Sequence, residues 1–207
     1  MKDYSCFLES IYYFLLNCSE FVIKTFEITS IEIKLQNLTA NCFQTSVKRF
    51  LASVEHDVSD IQAIILFKNT LKSYCDKMKI DEDAFNSIIN LYLRLSVGAK
   101  THFLKQKLSN EFRDETWSAS LKCESEKVNL FNCTIETREC VINLLHFCSQ
   151  LNVDKNLIAS KVSVIIEFFI RNVEKGLIEG EAVRVKQIVK INSKILCLII
   201  SACCYSI

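Results

Sequence analysis

The chain has 207 residues, half of them hydrophobic, and carries 25 basic against 24 acidic residues for a net charge of +1. That balance argues against a broad nucleic-acid surface, which needs a clearly basic stripe, and the length fits one large domain or two small ones. There is no Pro and only three Gly, at 98, 176 and 180, where average usage gives about ten and about fourteen, so no stretch has the composition of a flexible linker and a single domain of long helices is expected.

Residues 3–17 carry Phe7, Leu8, Ile11, Tyr12 and Leu15 as a wide apolar stripe, and Ser19 opens a short piece with Phe21, Val22 and Phe26. Thr29 or Ser30 can cap a long helix to about residue 54, with Leu35, Cys42, Val47 and Leu51 at spacings of three and four. Ser59 and Gln62 have capping-box spacing ahead of Ile64, Leu71 and Cys75. Asp81 caps the next element, whose buried face is Phe85, Ile88, Ile89 and Tyr92; Gly98 ends or bends it before a helical pattern over 99–108.

Residues 116–136 behave differently. Trp117, Ala119, Leu121 and Cys123 alternate with Ser118, Ser120, Lys122 and Glu124, and Val128 begins a second alternating run after a polar break. Alternation reads as a β-hairpin. Trp117, Leu121, Val128, Phe131 and Ile135 also fit helical spacing, which is the competing reading. Beyond it, Thr137 opens a helix bearing Val141, Leu144 and Cys148, and Asp154 caps another to about residue 175, with Gly176 placed as its C-cap. Gly180 then leads to a final helix through Val185, Ile188, Ile195 and Ile199. The expected fold is mainly α: one multi-helical bundle of seven or eight helices over 1–207, with one central hairpin near 116–136.

Signatures of chemistry are sparse. Among eleven Cys and three His the densest group is Cys133, Cys140, His146 and Cys148, but on a helix His146 lies roughly 120° away from the face of Cys140 and diverges similarly from Cys148, whereas zinc wants four converging ligands, usually as two close pairs. Most Cys sit beside apolar residues, as in Cys42-Phe43 and Phe147-Cys148, and read as small core hydrophobes. No P-loop, nucleophile elbow or His-Glu-x-x-His occurs. No catalytic residue, cofactor or metal is assigned.

Candidate contact residues are the basic stripe Arg184, Lys186, Lys190 and Lys194, free of intervening acids, and Trp117. Segment 195–207 is the most hydrophobic; as a helix it spans about 20 Å, short of a hydrocarbon core near 30 Å. A basic stripe followed by a hydrophobic tail resembles the layout of small helical-bundle regulators of the Bcl-2 class, which implies membrane association through the tail. The Asn-Trp-Gly-Arg signature of that class is absent, and no family is assigned. The N-terminus lacks a signal-peptide layout, and no segment is expected to span a membrane. The expected function is a cytoplasmic or nuclear protein–protein interaction module, an adaptor or assembly subunit without catalytic activity. The alternatives are a membrane-associated regulator using 195–207, and a structural zinc protein or cysteine enzyme.

Overall fold

A computed structural model describes residues 4–26, 32–54, 61–114 and 132–178. Six helices account for nearly all of them: α1 (Tyr4–Phe26), α2 (Glu32–Ser53), α3 (Ile61–Lys77), α4 (Glu82–Asp114), α5 (Asn132–Gln150) and α6 (Lys155–Ile178). The described residues contain no strand. Contacts divide the chain into two compact units, 1–96 and 97–207, and the boundary falls inside α4.

In the first unit α1 and α2 run antiparallel. Phe7 stacks on Phe50 with ring centroids 3.8 Å apart, while Leu16 and Ile23 line one cleft with Leu35 and Thr39 toward the other end. The core is aromatic at its centre. Tyr4 makes edge contacts with Phe50, Phe67 and Tyr92, each at 5.8 Å, and Phe67 packs on Tyr92 at 4.4 Å. Leu8, Phe43, Val47, Leu51, Leu71 and Ile88 fill in around them and are fully buried. The edge-to-face arrangement sets positive ring edges on negative faces, a gain beyond area burial.

In the second unit α4 and α5 are antiparallel, because Lys107 pairs with Glu136 while Lys100 lies over Phe147. Cys133, Thr137, Cys140, Val141, Leu144 and Cys148 form the buried stripe of α5 at spacings of three, four and one. Phe112 packs on Phe168 and Phe169 at 5.9 Å, closing α4 against α6.

Helix ends follow side-chain chemistry. Asp81 Oδ1 accepts the Ala84 N–H at 2.7 Å, and Asp154 Oδ1 accepts those of Asn156 and Leu157 at 2.9 and 3.2 Å, so both expected N-caps hold. After α5, the Val153 N–H reaches the Cys148 carbonyl and the Asn152 N–H that of Ser149, with Asn152 left-handed at φ 50°. This is a Schellman turn.

Four expectations are corrected. Residues 132–136, assigned to the hairpin, form the first turns of α5, because the buried stripe there has helical rather than alternating period; the rest of the hairpin, 116–131, lies outside the described residues. Thr137 does not open a helix: it is buried inside α5 and donates its hydroxyl to the Cys133 carbonyl at 2.6 Å. Ser19 likewise starts no new piece, since its hydroxyl bonds back to the Leu16 carbonyl at 2.8 Å within α1, a local satisfaction that lets serine sit mid-helix. Gly176 lies inside α6 rather than at its C-cap, and of the two readings of Gly98 the helix end is excluded, because α4 continues through the helical pattern expected over 99–108. Six helices stand among the described residues, against the seven or eight expected over the whole chain. The Ser59 box and the expected final helix lie outside them.

Candidate functional site

The half of α1 after Tyr12 contributes no buried residue, although it is as apolar as the half before it. Phe14 and Phe21 are 62% and 66% exposed, Phe26 is similar, and Ile33 and Leu38 on α2 are 74% and 58% exposed. Exposed apolar residues scattered singly are ordinary; a set concentrated on one helical hairpin marks a contact surface. Phe14 and Phe21 are seven residues apart and so share one face of α1.

On the other side of α1 lies a cleft of about 250 Å³ between α1, α2 and the end of α3. Leu16 and Ile23 line it, each two positions beyond an exposed Phe and therefore about 200° around the helix. Tyr12, Leu35 and Met78 add apolar surface, with Ser19, Glu20, Gln36, Thr39, Lys77 and Lys79 completing the wall. Two of those polar groups are already satisfied. Ser19 donates to the Leu16 carbonyl and Thr39 donates to the Leu35 carbonyl at 2.7 Å. Glu20 faces Lys24 at 3.7 Å.

Two lysines, Lys77 and Lys79, are among the lining residues. The Lys77 ammonium lies over the rings of Tyr74 and Tyr12, at 4.8 and 5.6 Å from their centroids. The Tyr74 hydroxyl is raised above its ordinary value, first by burial and then by Glu9 and the neighbouring tyrosines, so it stays protonated and neutral beside the cation. Lys79 is left-handed at φ 54°, held there because the Lys79 N–H bonds the Asp76 carbonyl and the Ile80 N–H bonds that of Cys75. Glycine is the residue that adopts this conformation without penalty; a lysine holds it at a cost of about 1 kcal/mol.

The cysteines separate into two sets. Cys6, Cys18 and Cys42 are exposed, while Cys75, Cys133, Cys140 and Cys148 are buried. Burial pushes the thiols of Cys75, Cys140 and Cys148 up to about 11, the opposite of what a nucleophile or metal ligand needs. Cys42 differs from the core reading: its neighbour Phe43 is buried, and one helical step carries Cys42 to the surface. Among the described residues no three His, Cys, Asp or Glu side chains come close enough to hold a metal ion. His146 is exposed beside Gln150, while Cys133, Cys140 and Cys148 turn inward.

Arg184, Lys186, Lys190, Lys194, Trp117 and the segment 195–207 all lie outside the described residues. The apolar face and the cleft were missed from sequence. Their signal was present in Tyr12-Tyr13-Phe14 and Phe21-Val22-Ile23, where consecutive large apolar residues cover more of a helix than one core can bury. By length and composition alone α1 is long and apolar enough to cross a membrane, at a mean hydropathy of 1.3, because Glu9 and Glu20 are too few to interrupt it. No known protein family, curated protein or solved structure matches this chain.

Proposed function

We propose that the chain is a protein–protein interaction module, an adaptor or assembly subunit of the cytoplasm or nucleus, acting without catalysis. The observation that carries this reading is the outward face of α1, where Phe14 and Phe21 stand more than 60% exposed on one line. Aromatic residues lose few rotamers on binding and supply large contact area, which is why they anchor interfaces. Raised thiols on Cys75, Cys140 and Cys148 favour a packing role for them over a catalytic one. Arg184, Lys186, Lys190, Lys194 and Trp117 belong to the proposal as a second contact region, suited to an acidic partner surface.

The test is affinity purification from the native host with the wild-type chain and with the double variant Phe14→Glu/Phe21→Glu, both checked for equal helicity. A stoichiometric partner retained by the wild type and lost by the variant supports the reading. Equal recovery with both removes α1 as the docking face.

A second reading, a membrane-associated regulator, is favoured by the length and composition of α1 and by the hydrophobic segment 195–207. Flotation with phosphatidylcholine vesicles separates the two readings. Flotation lost on truncation after Lys194, or on Phe14→Glu/Phe21→Glu, assigns the membrane contact to that segment; a chain that stays at the bottom of the gradient has none.

A further inference from the structure

We infer that the cleft between α1, α2 and the end of α3 is a binding site for a free single-chain fatty carboxylate, its tail against Leu16, Ile23 and Leu35 and its head at Lys77 and Lys79. The interior is fit for methylenes rather than for a polar ligand. The hydroxyls of Ser19 and Thr39, which would otherwise solicit hydrogen bonds, are both turned onto carbonyls of their own helices. A ligand that enters meets few unpaired polar groups, and tail burial proceeds without stranding them.

Charge fixes the other end. Neither Lys77 nor Lys79 is in an ion pair with a carboxylate of the described residues, while Glu20, the one acid among the described residues that line the cleft, faces Lys24 at 3.7 Å. Lys77 is explained in part by its helix: a cation in the last turn complements the negative end of the helix dipole. Lys79 is not. It occupies the left-handed position that ends α3, where glycine would serve the turn better, and at that position it adds a second lysine to the cleft lining. Two cations beside an apolar slot complement one anionic head on one apolar chain. The slot and the Phe14–Phe21 face lie on opposite sides of α1, so this inference does not depend on the protein-docking reading.

The test is titration of the full chain with dodecanoate below its micellar concentration, read by calorimetry. Saturable binding at one site is expected, tightening about fourfold per added methylene until the slot is full. Dodecanol, with the same tail and no charge, binds at least tenfold more weakly. The variant Lys77→Glu/Lys79→Glu loses at least tenfold in dodecanoate affinity. Lys79→Gly is the companion variant, because it removes one cation while easing the backbone; it unfolds no more readily than the wild type and still binds severalfold more weakly. Absence of saturable binding overturns the site. Equal affinity for dodecanoate and dodecanol, or an unchanged affinity in either lysine variant, overturns the assignment of the head to Lys77 and Lys79.

Discussion

The Lys107 ammonium donates to a Glu136 carboxylate oxygen at 2.8 Å, the one ion pair among the described residues that joins two helices. Three residues toward the start of α4, and four toward the end of α5, the Cys140 thiol lies 3.9 Å from the Leu104 carbonyl. Together they fix the register of α4 against α5. The hydrogen bond to Glu136 raises the Lys107 ammonium above its ordinary value, against a smaller opposing effect of burial.

Because Lys107 and Glu136 are 50% and 29% exposed, the pair is worth little despite its short distance. A double-mutant cycle on Lys107→Ala and Glu136→Ala is expected to give a coupling of about 0.5 kcal/mol, shrinking at high salt. The sign of the pH effect follows from the raised value. The contribution is complete below the ordinary lysine range and disappears as pH climbs through the raised value, so the coupling measured at pH 7 should vanish in strongly alkaline buffer. A coupling that persists there would mean the contact is packing, not charge.

Buried thiols make a second pH prediction with a different cause. For Cys75, Cys140 and Cys148 the ordinary value of 9.0 is pushed to about 11, chiefly by loss of water around the thiolate. The folded state therefore holds protons that the unfolded chain releases, and stability should fall as pH rises between about 9 and about 11. Labelling with a thiol reagent, resolved by peptide mass spectrometry, should modify Cys18 and Cys42 rapidly and the three buried thiols only as fast as the chain opens. Rapid native-state labelling of Cys140 would contradict its burial.

Much of the helical layout was legible in the sequence because it rests on local rules. Asp81 and Asp154 were readable as caps since an Asp carboxylate at that position reaches the N–H groups two or three residues on. Thr137 misled for the same reason: its cap chemistry is real, but its hydroxyl found the Cys133 carbonyl inside a helix already begun. The faces of α1 were harder. Periodicity marks which residues are apolar, not how many a neighbouring helix will cover, and nothing local set Phe14 and Phe21, both exposed, apart from the apolar residues around them. The cleft depends on where three helices end relative to each other, a relation between distant residues that no local pattern encodes.

Gly98 offers a test of the backbone. It lies inside α4 rather than at an end, and a methyl group added there would meet nothing within 4 Å. Gly98→Ala should therefore stabilise the chain by about 0.5–1 kcal/mol, through lower backbone entropy in the unfolded state. Gly98→Pro should cost about 3 kcal/mol or more, because it removes a helical N–H and crowds the preceding turn. Chemical denaturation of both variants measures the two signs. A destabilising alanine would show that the position needs glycine for a reason the helix itself does not supply.

The boundary between the two compact units falls inside α4, with no linker between Ser96 and Val97. Domain boundaries usually fall in exposed polar linkers crossed by few contacts, so a boundary within one helix leads us to expect a single cooperative unfolding transition. Phe67 in the first unit and Phe169 in the second are each 1% exposed, and replacing either with Ala should cost about 3–5 kcal/mol. For a chain of this size that lowers Tm by about 6–20 °C. Phe14→Ala, at an exposed position, should change stability by no more than about 0.5 kcal/mol. If the chain is one cooperative domain, Phe67→Ala and Phe169→Ala move the same transition, seen identically by helical and aromatic circular dichroism. Two resolved transitions, one displaced by each substitution, would show instead that the units unfold independently and that α4 frays between them.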